Sequence, residues 1–423
     1  MITWTDLPGK RVGVWGLGRE GQANLRKLRS LGIEPVLVDD HPAEPGVLAT
    51  GEGGLDALAG CDVVLKTPGI SPYRDEAGSL THVVLTSGLS LWLAEQDLGR
   101  VVCVTGTKGK STTASVIAHL LNGLGHRAAL AGNIGKAPYA DDTKADYWVI
   151  EVSSYQAKDL QCAPPAVAVT SLHPDHLDWH RTVQQYYQDK LSLCRKPGAE
   201  LTIANGDSDL LRDWRAQLGP TVEWVHATDE PTADWMEPLG LRGEHNRRNA
   251  LIARRCLEAL PIPRPDDGRL RAAARGYQGL PSRLATVAVI DGVTFIDDSL
   301  STNVLPTLAA LDAFPKERTA LIVGGHDRGL DYAPLAACIA SRQAPTMVLT
   351  LPDSGPRIRA AIEASGHEAV RDCADLAEAV RAGATWARPD GIVLLSPAAP
   401  SFGQFKDYRD RAEAFANAVR DLG

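Results

Sequence analysis

No apolar run in the 423-residue chain approaches the roughly 18 residues a helix needs to cross a bilayer. The opening stretch MITWTDLPGK has no basic segment followed by an apolar one, so no secretory leader is expected. No C-x-x-C pair occurs among the seven cysteines, and their odd number reads as reduced thiols rather than a disulfide framework. A basic surplus is missing too. The 44 Lys and Arg face 52 Asp and Glu, a formal charge of -8, which argues against a nucleic-acid or anionic-membrane surface. Low-complexity tracts and obvious internal repeats are absent. What is present, 44% hydrophobic and 23% charged residues, describes a soluble, cytoplasmic globular protein long enough for two or three domains.

Short apolar runs alternate with amphipathic stretches, which predicts an α/β fold with mainly parallel sheets. In RVGVWGLGREGQANLRKLRSLGIEPVLVDD, a strand over 12–15 enters a glycine turn. A helix with Leu25 and Leu28 on one face follows, then a strand ending at Asp39. CDVVLKTPGI supplies another strand that turns at Pro68 and Gly69, and HVVLTSGLSLWLAEQ closes this segment near residue 94. A second segment, 95–280, starts with a strand over 101–104 and ends near PIPRPDDG, whose prolines break any continuing helix. The third, 281–423, repeats strand, loop and helix.

The second segment opens with VTGTKGKST, which departs from the Walker A spacing G-x-x-x-x-G-K-[ST]: Val104 stands where the first glycine would be. A phosphate ligand still suits it. Gly106 and Gly109 free backbone N–H groups to converge on an anion, a helix N-terminus adds partial positive charge, and Lys110 adds a full one. Ser111 or Thr112 can offer a hydroxyl to Mg²⁺. A rival signal lies earlier. GLGREG, with Gly16, Gly18 and Gly21, fits G-x-G-x-x-G, and Asp39 falls close to where a ribose-binding acid belongs. Alone it would suggest an NAD-dependent oxidoreductase, but any diphosphate can lie on such a turn, and two phosphate loops point to two phosphorylated ligands.

Further motifs follow: GNIG (132–135), EVSSYQ (151–156), PDHLD (174–178), YYQDKLSL around Lys190, HNRRNA (245–250), GLPSR (279–283), DDSLSTN (297–303) and LLSP…QFKDY (394–408). With the loop, which matches G-T-x-G-K-[ST] over 106–111, they make the chain resemble the Mur ligase family of ATP-dependent amide ligases in peptidoglycan precursor synthesis. The likeness spans nearly the full length and is nearest the branch that adds glutamate to UDP-N-acetylmuramoyl-L-alanine. It implies three domains: a Rossmann-like UDP-sugar domain over 1–94, a central P-loop ATPase domain with a parallel sheet over 95–280, and a Rossmann-like closing domain over 281–423.

The same resemblance implies ATP and Mg²⁺ as cofactors. The substrate carboxylate would become an acyl-phosphate that the incoming amine attacks, releasing ADP and phosphate. Residues Gly106, Thr107, Lys108, Gly109, Lys110, Ser111 and Thr112 would hold ATP phosphates, with Asn249 on adenine, Arg283 on phosphate and Asp298 on ribose. Ser111, Glu151, His176 and a carbamylated Lys190 would bind metal, and Lys110, Glu151, His176 and Lys190 would serve catalysis. For the UDP-sugar the matching positions are Gly16, Gly18, Gly21, Asp39, Thr67, Pro68, Gly69 and Asn133. Sequence alone favours Lys190 as a solvated charge on an amphipathic helix, and reads Glu151 about equally as a surface acid. HPDHLDWH invites a zinc reading, but its internal proline disfavours helical presentation of His173, and phosphate sites prefer Mg²⁺. A structural or surface role is expected for His173 and His180.

Amino-acid recognition is where the chain departs from the D-glutamate pattern. Leu300 replaces a lysine in DSLSTN, Arg328 stands for another lysine, and Tyr408 replaces a phenylalanine, while Thr302 and Ser401 match. A guanidinium grips a carboxylate differently from an ammonium. These changes lean towards the L-glutamate-adding branch, whose product is then acted on by an epimerase. The alternatives are the D-glutamate enzyme, a folylpolyglutamate or cyanophycin synthetase-like ligase, an oxidoreductase, or a non-enzymatic nucleotide-binding protein.

Overall fold

The runs Val12–Trp15, Val63–Lys66 and Val101–Thr105 are buried at every position rather than at alternate ones, as strands covered on both faces are. The computed structural model describes residues 1–423 and arranges such strands in three sheets. The first runs in the order Leu48–Ala49, Val36–Asp39, Val12–Trp15, Val63–Lys66, Val84–Thr86, all parallel. The second, also all parallel, runs Thr221–Val225, Leu201–Asn205, Ala166–Val169, Val101–Thr105, Tyr147–Glu151, Ala128–Gly132. The third runs Ala285–Ile290, Val293–Asp297, Ile392–Leu395, Thr319–Gly325, Thr346–Asp353, Val370–Asp372.

Its first pair is antiparallel. That hairpin closes at Asp291-Gly292, both with positive φ (48° and 81°), the backbone a two-residue turn with right-handed strand twist requires. Everything else in the sheet is parallel.

Two compact units hold these sheets. Met1–Leu239 with Asn246–Tyr277 contains the first two, and Gly240–His245 with Gln278–Gly423 contains the third. Within the first unit the two sheets share one apolar core, in which Trp4 meets Tyr139 (ring centroids 5.1 Å apart) and Trp92 meets Trp148 (5.0 Å). All seven cysteines are unpaired, six of them buried and Cys338 half-buried. Burial raises every one of their thiol pKa values. No helix is long and apolar enough to cross a membrane. The carboxyl ends of parallel strands, where open α/β sheets bind ligands, deliver Gly16, Gly106 and Glu151.

Candidate functional site

The loop after Val101–Thr105 has no freedom for a side chain at its first glycine. Gly106 sits at φ 136°, and a Cβ there would lie 2.2 Å from Thr170 Oγ1; Gly109, at φ 87°, backs onto Asn249 at 2.9 Å. Thr107 N donates to Ser171 O (2.9 Å), Lys108 N to Ser171 Oγ (2.8 Å), and Thr107 Oγ1 to His173 O (3.1 Å). Lys110 opens the helix Lys110–Gly123, whose first turn carries no acid to offset its dipole. Its ammonium donates to Gly106 O at 2.9 Å and Thr107 O at 3.0 Å. Ser111 is buried in that first turn and Thr112 half-buried. Lys108 reaches outward to Asp175, 3.3 Å away.

Glu151 closes its strand in register with Val104. Its Oε1 accepts Asn133 Nδ2 at 2.6 Å, whereas Oε2 is buried with no hydrogen-bond partner. The Asn133 amide orients Glu151, and the tight Gly132 turn (φ 96°) brings Asn133 N within 2.8 Å of Glu151 O. Lys190, on the helix Val183–Leu191, is 2% exposed and donates to Gly106 O at 2.9 Å. The two lysines therefore meet at one loop carbonyl. Burial first, and then the Lys110 charge, pushes the Lys190 ammonium well below the ordinary lysine range, against the pull of Asp175 and Glu151. Lys190 is thus a buried group of the site, not a solvated surface charge.

His176 adopts a left-handed backbone (φ 52°) ahead of the short helix Leu177–His180. Burial lowers its imidazole pKa, as do the charges of Lys190, Lys108 and Lys110, with Asp175 opposing. Nowhere do three or more His, Cys, Asp or Glu side chains gather in a way that could hold a metal ion. The donors available around the loop are the Glu151 carboxylate, the His176 imidazole and the Ser111 hydroxyl. An unsatisfied buried carboxylate oxygen fits a hard cation such as Mg²⁺, whose remaining ligands would be phosphate oxygens and water.

At the N-terminal turn, Gly16 (φ 93°) leaves only 2.1 Å between a would-be Cβ and Thr67 Oγ1, and Gly21 only 2.0 Å to Gly16 O. Gly18 and Gly69 border open space. Asp39 serves the turn itself, accepting Leu17 N (2.6 Å) and His41 N (2.9 Å). Pro68 O accepts the Trp179 indole N–H at 3.0 Å. Arg19, inside the glycine motif, reaches Asn133 O at 3.5 Å, so this turn adjoins the Glu151 strand end.

Asn249 lies on the helix Glu244–Glu258 behind Gly109 and donates to Asn246 Oδ1 at 3.3 Å. In the second unit Asp298 is buried; its carboxylate accepts the Ser301 and Ser396 hydroxyls and Leu284 N, next to Arg283. Burial nevertheless raises its pKa to about 7. The Arg328 guanidinium lies 5.7 Å from the Phe402 ring centroid, beside buried Ser401. Thr302 is half-buried, and the Tyr408 hydroxyl accepts from Arg409 at 3.3 Å.

Sequence reasoning missed Arg411, fully buried, which donates to Ala399 O (3.1 Å) and Ser299 O (2.8 Å) and so ties together the loops carrying Ser401 and Thr302. It also missed Tyr73 and Asp189, joined at 2.7 Å across 116 residues of sequence.

A glycine-rich loop at a helix N-terminus, a buried acid beside it and three α/β sheets define a multidomain α/β protein. Comparison with known proteins narrows this. Residues 104–238 match the Mur ligase middle domain, and residues 282–399 the Mur ligase glutamate ligase domain. The chain is 39% identical to the UDP-N-acetylmuramoyl-L-alanine–L-glutamate ligase of Salinispora tropica, covering 99% of both chains. It is 38% identical to the ligase of the same name from Xanthomonas euvesicatoria, covering 97% of this chain and 95% of that one. The chain belongs to the Mur ligase family.

Solved structures share its fold. MurF from Acinetobacter baumannii aligns with a TM-score of 0.62 at 14% identity, covering 100% of this chain and 92% of that one. The UDP-N-acetylmuramate–alanine ligase of Thermotoga maritima aligns at 0.59 and 16%, covering 98% and 100%. Mycobacterium tuberculosis folylpolyglutamate synthase complexed with ADP aligns at 0.54 and 15%, covering 79% and 92%.

Proposed function

We propose that the chain joins glutamate to the alanine carboxyl of UDP-N-acetylmuramoyl-L-alanine in the cytoplasm, at the expense of ATP. The observation that carries this reading is the meeting of Lys110 and Lys190 at the Gly106 carbonyl, beside a Glu151 oxygen that has no protein partner. The loop N–H groups and Lys110 bind and neutralise the terminal phosphates of ATP, as phosphoryl transfer requires. Mg²⁺, when bound, would supply neutralisation of phosphate charge. Asn133 fixes one oxygen of Glu151 and leaves the other without a partner, so Glu151 would hold the metal, with Ser111 and His176 as further candidate ligands.

A lysine reacts with CO₂ only as the free amine, and burial favours that form of Lys190. Addition of CO₂ to that amine, with release of one proton, would give a carbamate anion that can hold metal. The acyl-phosphate carbon is attacked by the glutamate amine; the C–O bond to phosphate breaks and phosphate leaves.

Residues 1–94 would carry the UDP-sugar on the turns at Gly16, Gly18 and Gly21 and at Thr67, Pro68 and Gly69. Residues 95–280 would carry ATP, with Asn249 behind the loop, and residues 281–423 the nucleotide contacts Arg283 and Asp298. Thr302, Arg328, Ser401 and Tyr408 would receive the amino acid. The L-isomer is favoured by Leu300, Arg328 and Tyr408 and by the names of the relatives. An epimerase would then act on the product. ADP release with the UDP-muramoyl acceptor plus L- or D-glutamate, with and without Mg²⁺, tests this. Turnover with L-glutamate and Mg²⁺ is expected. A D preference overturns the stereochemistry, and ADP from neither isomer overturns the ligase reading.

A further inference from the structure

A buried polar chain links the segments that present Glu151, His176 and Lys190. Asp189 is 2% exposed, and its carboxylate accepts the Tyr73 hydroxyl at 2.7 Å on both oxygens, His180 Nδ1 at 2.8 Å and Gln185 Nε2 at 3.0 Å. Lys158 Nζ lies 3.4 Å away. The other ring nitrogen of His180, Nε2, lies within hydrogen-bond distance of Ser154 Oγ, 2.9 Å away. The order Ser–His–Asp is that of a nucleophilic triad. However, Ser154 is 2% and His180 0% exposed, so no substrate reaches them and the chain positions rather than reacts.

Its members neighbour the metal-binding candidates one by one. Asp189 precedes Lys190, and Ser154 starts the helix Ser154–Asp159 three residues after Glu151. His180 N donates to His176 O at 3.1 Å. Tyr73 enters from the first sheet, just beyond the turn at Thr67, Pro68 and Gly69. Two bonds run parallel to it: Ser71 Oγ to Trp179 O (2.8 Å) and Trp179 Nε1 to Pro68 O (3.0 Å).

Resting on the proposed function, we propose that Tyr73, Asp189 and His180 are positioning residues that fix the rotation of the helix aiming Lys190 at Gly106. They couple that aim to the loop beside which the UDP-sugar would bind. Supporting groups one layer behind a metal site typically change activity 10- to 100-fold, roughly, when removed.

The test is Tyr73→Phe in the full chain, which keeps the ring and removes the hydroxyl. Steady-state kinetics are combined with ¹³C NMR of protein equilibrated with ¹³C-bicarbonate. Expected are a kcat loss of roughly 10-fold, KM for ATP within about twofold, and a weaker lysine carbamate signal than in the unsubstituted protein. An unchanged kcat and carbamate signal, or a loss confined to KM for the UDP-sugar, would overturn the inference. Absence of any carbamate signal from the unsubstituted protein would instead refute the carbamylated-lysine reading, and the positioning claim would then be decided by kcat alone. His180→Gln, which keeps a donor towards Asp189, should recover more activity than His180→Ala; equal loss counts against the claim.

Discussion

Replacing Gly106 by alanine tests the loop geometry most directly. The added methyl would stand 2.2 Å from Thr170 Oγ1, 2.9 Å from Ser171 N and 3.0 Å from Thr170 N. The Thr170 amide cannot yield freely, since it donates to Thr105 O at 3.0 Å, and Ser171 O holds Thr107 N at 2.9 Å. A φ of 136° also suits only glycine well, and such strain costs about 1–3 kcal/mol. The loop must therefore move by something near an ångström, carrying with it the carbonyl that receives both Lys110 and Lys190. A misplacement of about 1 Å can lower turnover roughly 100-fold. At about 2–4 °C per kcal/mol, the strain should lower Tm by roughly 2–12 °C. ADP release by a coupled assay and thermal unfolding measure the two effects, with Gly78→Ala, whose new methyl meets nothing within 4 Å, as control. Turnover and Tm in Gly106→Ala equal to those of the control would refute the reasoning.

Lys190→Ala should lose turnover and regain part of it with a short carboxylic acid in the buffer, which can stand in for the carbamate; full activity without supplement contradicts the assigned role. Asp298 holds its proton to about pH 7 in the folded chain, roughly three units above its unfolded value. Its contribution to stability is therefore lost as pH rises from about 4 to 7, by an amount on the order of 4 kcal/mol at most. Asp298→Asn should show a smaller Tm drop between pH 5 and 8 than the unsubstituted chain. Glu20, whose carboxyl burial likewise raises to about 7, contributes equally to both proteins. Identical drops would sink the assignment.

What could be read from the sequence was local. The strand at 12–15, the strand ending at Asp39 and the helix-opening Lys110 follow from apolar runs and glycine placement over a few residues. The hairpin at Asp291-Gly292 was legible as an Asp-Gly turn between apolar runs, yet the strand–loop–helix reading of the third segment passed over it. Long-range pairing was not legible. Nothing within a short window of Tyr73 announces Asp189, nor does anything near Lys66 announce the buried ion pair it makes with Asp159 at 2.7 Å. Asn133 and Asp39 show a second limit. Their motif positions do not announce that the Asn133 side chain holds Glu151 or that Asp39 accepts Leu17 N, because such contacts depend on strand register that no local pattern encodes.

The seven shielded thiols have a practical consequence. Because each is withdrawn from solvent to some degree and kept protonated by its surroundings, maleimide dyes should react slowly with the native chain. One cysteine introduced on an exposed face of each compact unit would then label selectively. Dyes placed this way could report on each unit during turnover without first stripping the protein of its own sulfur.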